Sequence, residues 1–312
     1  MVCPMGKHCR QPFSKKGSRA AEVLDVIHTD ICGPMEVDSI GGSKYYIAFI
    51  DDKSRKMWVY FLKTKAEPEI LRIFKEFHAM VERQSERKIK AIRSDKGMEY
   101  LNEGFENYLK IHGIRHQKTN VYTPQQNGMA ERANRSIVER ARCLLFEGRM
   151  KKSFWAEAVN TSVYLLNRSP TQGHECTPEQ GWTGKKPDLS HLRIFGTKAM
   201  AQVPKQRRLK LDPKSREAVF VGYDENTKGY RLYDPQSQKV FISREVWFID
   251  EGVSSAVVNT KRLNMIVLDY DFVTTKAAAS GSDNCLSENE DDDEEFYTDC
   301  ENDSIADEVL MP

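Results

Sequence analysis

Two acids separated by a fixed distance, each where the chain changes direction, constrain this chain more than any other feature. Asp95 lies in Arg93-Ser94-Asp95-Lys96-Gly97 and Glu131 in Asn127-Gly128-Met129-Ala130-Glu131-Arg132, with 35 residues between the two acids. The run Ile89 to Ile92 alternates apolar and polar residues and predicts a strand, so Asp95 falls where that strand leaves the sheet and turns at Lys96-Gly97. Thr123 to Asn127 is a turn of Thr, Pro, Gln and Asn, which places Glu131 in the first turn or two of a helix. An acid at a strand exit and an acid on the following helix form a carboxylate pair, and such pairs hold divalent metals.

Composition narrows the class of partner. The formal net charge of +1 conceals a segregation: from Ala277 to Pro312 there are thirteen Asp or Glu and no Lys or Arg, leaving 47 basic against 33 acidic residues before it, a net of +14. A basic body implies a polyanionic partner. The acidic block Glu290 to Glu295 predicts a disordered tail. No apolar run approaches the ~18 residues a membrane span needs. The first residues, Met1-Val2-Cys3-Pro4, lack the apolar stretch of a secretory signal. Seven scattered cysteines suit a reducing compartment.

In chain order, residues 1 to 20 read as a basic arm. Cys3, His8 and Cys9 have no C-x-x-C partner, so this segment alone builds no zinc site. Val23 to Thr29 predicts a first strand with Asp30 near its end. Lys44 to Asp51 and Lys56 to Leu62 predict two more, and Glu69 to Arg83 a helix. Phe105 to His112 predicts a short helix, Ile114 to Lys118 a fifth strand, and the segment from Asn127 a long helix striped by Ala130, Ala133, Ile137, Ala141 and Leu144. Phe154 to Asn167 predicts a further helix with Ser153 as N-cap. This order predicts an α/β domain with a mixed sheet over 21–170. A Pro- and Gly-rich linker follows over 171–188. Four short strands within 189–250 (Ala199 to Val203, Arg216 to Val221, Gly229 to Tyr233, Lys239 to Ser243) predict a small β-barrel, and residues 251–312 form the tail, acidic from about 277. Lys205, Arg207, Arg208, Lys210 and Lys214 crowd one loop of the barrel. The stretch Lys205 to Lys210 reads as a solvated turn, a DNA-phosphate contact or a weak nuclear-import signal. His174, Cys176 and His191 read as ordinary loop residues.

Asp30, Asp95 and Glu131, in the settings His28-Thr29-Asp30-Ile31-Cys32-Gly33-Pro34, Arg93 to Gly97 and Asn127 to Arg132, resemble the D, D-35-E signature of retroviral-type integrases. The likeness is to the integrase segment of Copia-type LTR retrotransposon Pol polyproteins and spans about residues 1 to 250. Gly196-Thr197-Lys198-Ala199, Lys210-Leu211-Asp212-Pro213-Lys214, Phe220-Val221-Gly222-Tyr223 and Gly229-Tyr230-Arg231-Leu232-Tyr233 resemble the SH3-like module that follows the core in these elements. Thr197 stands where those modules usually have Cys. Cys3 resembles the last ligand of the preceding zinc domain, whose other ligands would lie before Met1; the expectation is a truncated element or a host gene derived from one.

The resemblance implies an RNase H-like core, an SH3-like module and metal-dependent DNA 3′-end processing and strand transfer. Asp30, Asp95 and Glu131 would be both catalytic and metal-holding, with Mg²⁺ or Mn²⁺ as cofactor. Asn134 and Arg135 share the Glu131 face of the helix and are expected at the DNA phosphate, as are Lys205, Arg207, Arg208 and Lys210. Double-stranded DNA, as element ends and target, is the expected partner. A homo-oligomer acting in the nucleus after cytoplasmic synthesis is also expected. Read singly, each acid has another use: Asp30 and Asp95 as turn residues, Glu131 as a partner of the helix dipole. Two further functions stay open, a catalytically idle DNA- or protein-binding module and an RNase H-like nuclease on RNA–DNA hybrids.

Overall fold

Strand alternation and helical stripes meet in two sheets. The computed structural model describes residues 19–249, apart from positions 96, 98, 99, 119–127, 172 and 226. Residues 1–18 of the basic arm, Cys3 among them, the Thr123 to Asn127 turn and the acidic tail lie outside the described residues. The first sheet holds β1 (Ile27–Cys32), β2 (Tyr45–Asp51), β3 (Met57–Leu62), β4 (Ala91–Ser94) and β5 (Arg115–Lys118) in the order β3-β2-β1-β4-β5. β1 to β3 are antiparallel, while β4 runs parallel to β1 and β5 parallel to β4, so the sheet is mixed.

Both faces of this sheet are covered, and the period of β2 shows why. Ile47 and Phe49 face one way, onto α1 (Glu67–Ser85) and α2 (Glu103–Ile111), in a cluster with Ile70, Phe74, Phe77 and Phe105. Tyr46, Ala48 and Ile50 face the other way, onto α3 (Gly128–Glu147) and α4 (Trp155–Arg168), with Ala130, Ile137, Ala158 and Val163. In α1, buried residues recur at Ile70, Ile73, Phe74, Phe77 and Val81, the apolar stripe of a helix lying on a sheet. Two local expectations shift. β1 starts at Ile27 because Leu24 takes a left-handed backbone (φ 66°), its N–H donating to the buried Asp51 carboxylate at 2.8 Å. Ser153 caps nothing: it sits inside a 3₁₀ turn, Lys152–Phe154, and α4 begins after it at Trp155.

The second sheet, β6 (Lys198–Gln202), β7 (Ser215–Tyr223), β8 (Tyr230–Asp234), β9 (Lys239–Ser243) and β10 (Val246–Phe248), is antiparallel throughout, in the order β10-β6-β7-β8-β9. β10 escapes a reading of the sequence because three residues carry too little period to register. The stretch expected as a plain linker contains a further helix, α5 (Pro178–Thr183), capped by the Thr177 hydroxyl. Trp182 of α5 packs edge-on against Trp58, and Lys56 pairs with Glu179 at 2.9 Å.

The β module is seated on the core. Val221 belongs to the same apolar cluster as α3 and α4, and Phe154 meets Tyr233 edge-to-face at 4.7 Å. Arg231 donates two hydrogen bonds to the Glu157 carboxylate, at 2.8 and 2.7 Å. Thr161 donates to the Val221 carbonyl at 3.1 Å, and a Cβ at Gly222 (φ 145°) would stand 2.6 Å from the Thr161 hydroxyl. Position 222 therefore has to be glycine for β7 to approach α4 this closely.

A polar node pins the start of β1 to the β2–β3 turn. His28 and Asp52, both buried, meet at 3.1 Å, and the same carboxylate accepts from the Ala20 amide at 2.6 Å and from Arg55 at 3.3 Å. Burial alone would push the Asp52 carboxyl up; the bonds from His28, Ala20 and Arg55 override it and hold it at about 2. Burial also lowers His28, against the pull of Asp52. Both folded values lie below the unfolded ones, so the unfolded chain takes up more protons on acidification. This node's stability is complete above about pH 6.5. It is lost first as His28 protonates and then as pH falls from about 4 toward 2. Urea titrations from pH 7 to 3 should show Asp52→Asn less stable than the wild type at pH 7 and closer to it at pH 3; a constant gap across the range would remove the node from the acid response.

Candidate active site

The parallel register Ile27↔Ile92 and His28↔Arg93, carried two residues further, sets Asp30 beside Asp95. Asp30 lies on the central strand and is half-buried; Asp95 follows directly on β4, its Oδ1 accepting from the Gly97 amide at 3.1 Å. Glu131 stands exposed in the first turn of α3. One turn further along α3, Asn134 donates from Nδ2 to Asp30 Oδ2 at 2.9 Å, so the face of α3 that carries Glu131 also reaches Asp30. The start of α3 is held in turn by Arg55, whose guanidinium reaches the Met129 sulfur.

The electrostatics agree with a shared site. Burial raises the Asp30 carboxyl to about 6; the Asn134 amide lowers it, and the negative charges of Asp95 and Glu131 raise it. Asp95 and Glu131 thus both act on Asp30, and an all-oxygen donor set carrying like charges suits a hard divalent cation, which would relieve their repulsion. Among the described residues, however, no three His, Cys, Asp or Glu side chains stand close enough together to hold one ion. The acids share a field without converging on a point.

The remaining expected site residues divide. Asn134 is buried, with its amide turned to Asp30 and not to the surface where a phosphate would meet it. Arg135 is exposed beside it. Lys205 and Lys210 are exposed and Arg208 half-buried on the β module, with Arg207 closing a 3₁₀ turn over Lys205–Arg207. His174 accepts from Arg55, and His191 meets the Tyr164 hydroxyl at 2.6 Å, both structural uses. Sequence reasoning misses the hydroxyl pair Thr29–Tyr100, 3.0 Å apart behind Asp30, and the polar groups around Ser94. Those partners are 22 or more residues apart, and only the fold pairs them.

A mixed five-stranded core with acids at adjacent strand ends is thus followed by an antiparallel β module. Residues 20–124 match the integrase core domain family and residues 197–261 the retroviral polymerase SH3-like domain. The first match contains Asp30 and Asp95 and stops short of Glu131, whose place rests on α3. More particularly, the chain is 46% identical over 279 residues to the Retrovirus-related Pol polyprotein from transposon TNT 1-94 of Nicotiana tabacum, covering 89% of this chain and 21% of that protein. It is 32% identical over 247 residues to the corresponding polyprotein from transposon RE1 of Arabidopsis thaliana, covering 79% of this chain and 16% of that one. The chain thus spans about a fifth of the length of these relatives. The HTLV-2 integrase catalytic core domain in complex with magnesium aligns with a TM-score of 0.42 at 17% identity, over 53% of this chain and 99% of that one. A simian T-cell lymphotropic virus intasome gives 0.45 at 13% identity, over 72% of this chain and 78% of that one. The likeness to Copia-type Pol polyproteins read from the sequence is borne out, and so is the architecture of a mixed five-stranded sheet with helices followed by an antiparallel β module.

Proposed function

We propose that this chain is a DNA integrase, acting on DNA ends by metal-dependent 3′-end processing and strand transfer. The observation that supports the reading is the Asp30 carboxyl, set beside Asp95 by strand register, bonded to Asn134 one turn from Glu131, and raised chiefly by burial, with the charges of both acids adding to it. Asp30 and Asp95 would together hold one Mg²⁺ or Mn²⁺, and Glu131 would reach in from α3 for a second. Bound there, the ions neutralise charge on the scissile phosphate and acidify the attacking water or 3′-hydroxyl. The chain's own share is orientation. Asn134 fixes the Asp30 carboxylate, the Gly97 amide fixes Asp95, and α3 sets the reach of Glu131. Arg135, exposed beside them, is placed to meet a DNA phosphate. In the strand-transfer step the 3′-hydroxyl oxygen attacks phosphorus in line, loses its proton to solvent, and expels the 3′-oxygen of the target strand.

The absence of a converged trio among the described residues favours a second reading, a DNA-binding module without catalysis. An assay of joining on oligonucleotides that mimic element ends, with Mg²⁺ or Mn²⁺, separates the two. Joined product supports the integrase reading; DNA binding without product in either metal leaves the idle one.

Either reading needs DNA affinity from the basic body. Binding to duplex DNA is expected to weaken steeply with salt, because neutralised phosphates release counterions. Changing Lys205 and Lys210 to Ala should lower the slope of log K against log salt by about one unit for each phosphate that is no longer neutralised. An unchanged slope would place the DNA path away from this turn.

A further inference from the structure

The outer face of the β module carries an open cavity of about 450 Å³ beside β10, whose lining includes Met200, Gln202, Lys214, Ser215, Glu245 and Trp247. Strand register builds it. β10 sets Trp247 opposite Met200, and β7 sets Ser215 opposite Gln202, so three adjacent strands contribute to the lining. Val246 and Phe248 pack inward with Ala199, Ala201 and Phe220. Trp247, between them, therefore turns outward and stands 77% exposed. A lone exposed ring is ordinary. This one comes with four polar side chains, Gln202, Lys214, Ser215 and Glu245, and among the described residues none of the four has a hydrogen-bond or ion-pair partner.

The chemistry of the lining selects the occupant. An indole face takes another flat ring by stacking, Gln202 and Ser215 both donate and accept, and Glu245 accepts from an amine. Together these are the groups that meet the edge of a nucleobase. Lys214 ends the β6–β7 loop that also carries the exposed Lys205 and Lys210, and the Val203 amide donates to the Lys214 carbonyl at 2.8 Å, closing the loop beside the cavity. A phosphate backbone drawn along that loop arrives with its bases over Trp247. Glu245, and Glu217 opposite Met200, repel phosphate from the ring itself, so the base and not the backbone lies on this face. Bases in a duplex are already stacked, and only an unpaired one can turn its face to the indole. A protein strand is the poorer occupant, because β10 offers an edge of only three residues, Val246–Phe248.

We propose that Trp247 and the cavity beside it bind an unpaired base of single-stranded DNA, with Lys214 on the adjoining phosphate. This rests on the reading of the chain as a DNA-binding protein and makes no use of the metal site.

The test is binding to the full chain of three probes: an oligodeoxycytidylate, whose amines suit Glu245, an abasic strand of equal length, and a duplex. Trp58 and Trp155 are buried and Trp182 half-buried, so quenching by the probe reports chiefly on Trp247. The oligodeoxycytidylate should quench the wild type and the abasic strand should not. Trp247→Ala should weaken oligodeoxycytidylate binding by roughly tenfold and leave the affinity for the abasic strand and the duplex unchanged. Trp247→Phe should keep most of the affinity and lose the quench, and Lys214→Ala should weaken binding of both single strands. Thermal unfolding checks each variant. If Trp247→Ala does not fold, the wild-type comparison of the two single strands decides, together with the quench in Trp247→Phe. Wild-type oligodeoxycytidylate affinity in folded Trp247→Ala, or equal quenching by the abasic strand, would overturn the base site while duplex binding keeps the wider reading. A wild type that binds none of the three at low salt would remove the DNA-binding reading, and this site with it.

Discussion

Asp30→Asn is expected to abolish metal-dependent DNA joining while making the metal-free chain more stable at neutral pH. The loss follows from the proposed function: an amide carries no charge to hold a divalent ion against a phosphodiester, and joining should fall by roughly a thousandfold or more. The gain follows from the geometry. Asp30 stands beside Asp95 and within the field of Glu131, and its carboxyl is raised to about 6, chiefly by burial. A folded value above the unfolded one means that the native state holds a proton the unfolded chain has released. Stability therefore falls as pH rises from about 4 to about 6 and stays lower above that window. Asparagine escapes this cost, on the order of 1–3 kcal/mol at pH 7, and keeps an oxygen for the Asn134 amide. Thermal unfolding in chelator should show Asp30→Asn melting above the wild type at pH 7.5, with the gap closing near pH 3.5. A variant that melts lower at pH 7.5 would mean that burial and the neighbouring acids do not raise the Asp30 carboxyl in the folded chain.

The largest expected loss of stability lies on the opposite face of the sheet. Phe77→Ala should cost roughly 3–5 kcal/mol, a large part of the 5–15 kcal/mol by which domains are usually stable. Phe77 is fully buried on α1 and stacks on Phe49 of β2 at 4.2 Å and 10° between ring planes, with Trp58 and Tyr60 edge-on at 5.4 and 6.4 Å. Truncation removes the area buried by one ring and leaves a cavity walled by three others, which a sheet covered on both faces cannot collapse to fill. Urea unfolding should show the midpoint falling at an unchanged denaturant slope. A cost under about 1 kcal/mol would mean that α1 rearranges to close the gap.

The information legible along the chain is local. Strands and helices show wherever a period repeats long enough, as in Tyr45 to Asp51 or the stripe from Ile70 to Val81. The acids are legible because each stands at a place the chain marks with its own turn residues: Asp95 before Lys96-Gly97, Glu131 just past Asn127-Gly128. Their order and spacing, with the second module behind them, carry the likeness to an integrase. Elements of three to six residues, β10 and α5, are too short to show a period. The site itself comes from packing in three dimensions. That Asp30 lies beside Asp95 is a matter of parallel register between strands more than sixty positions apart. A shared helix face with Glu131 suggests Asn134 for the DNA, yet packing of α3 over β1 turns its amide onto Asp30. The seating of the β module on α4 rests on Gly222 lying where a side chain would strike Thr161. The meeting of Met200, Ser215 and Trp247 around one cavity has the same character, for a lining drawn from three strands depends on a register that no local pattern encodes.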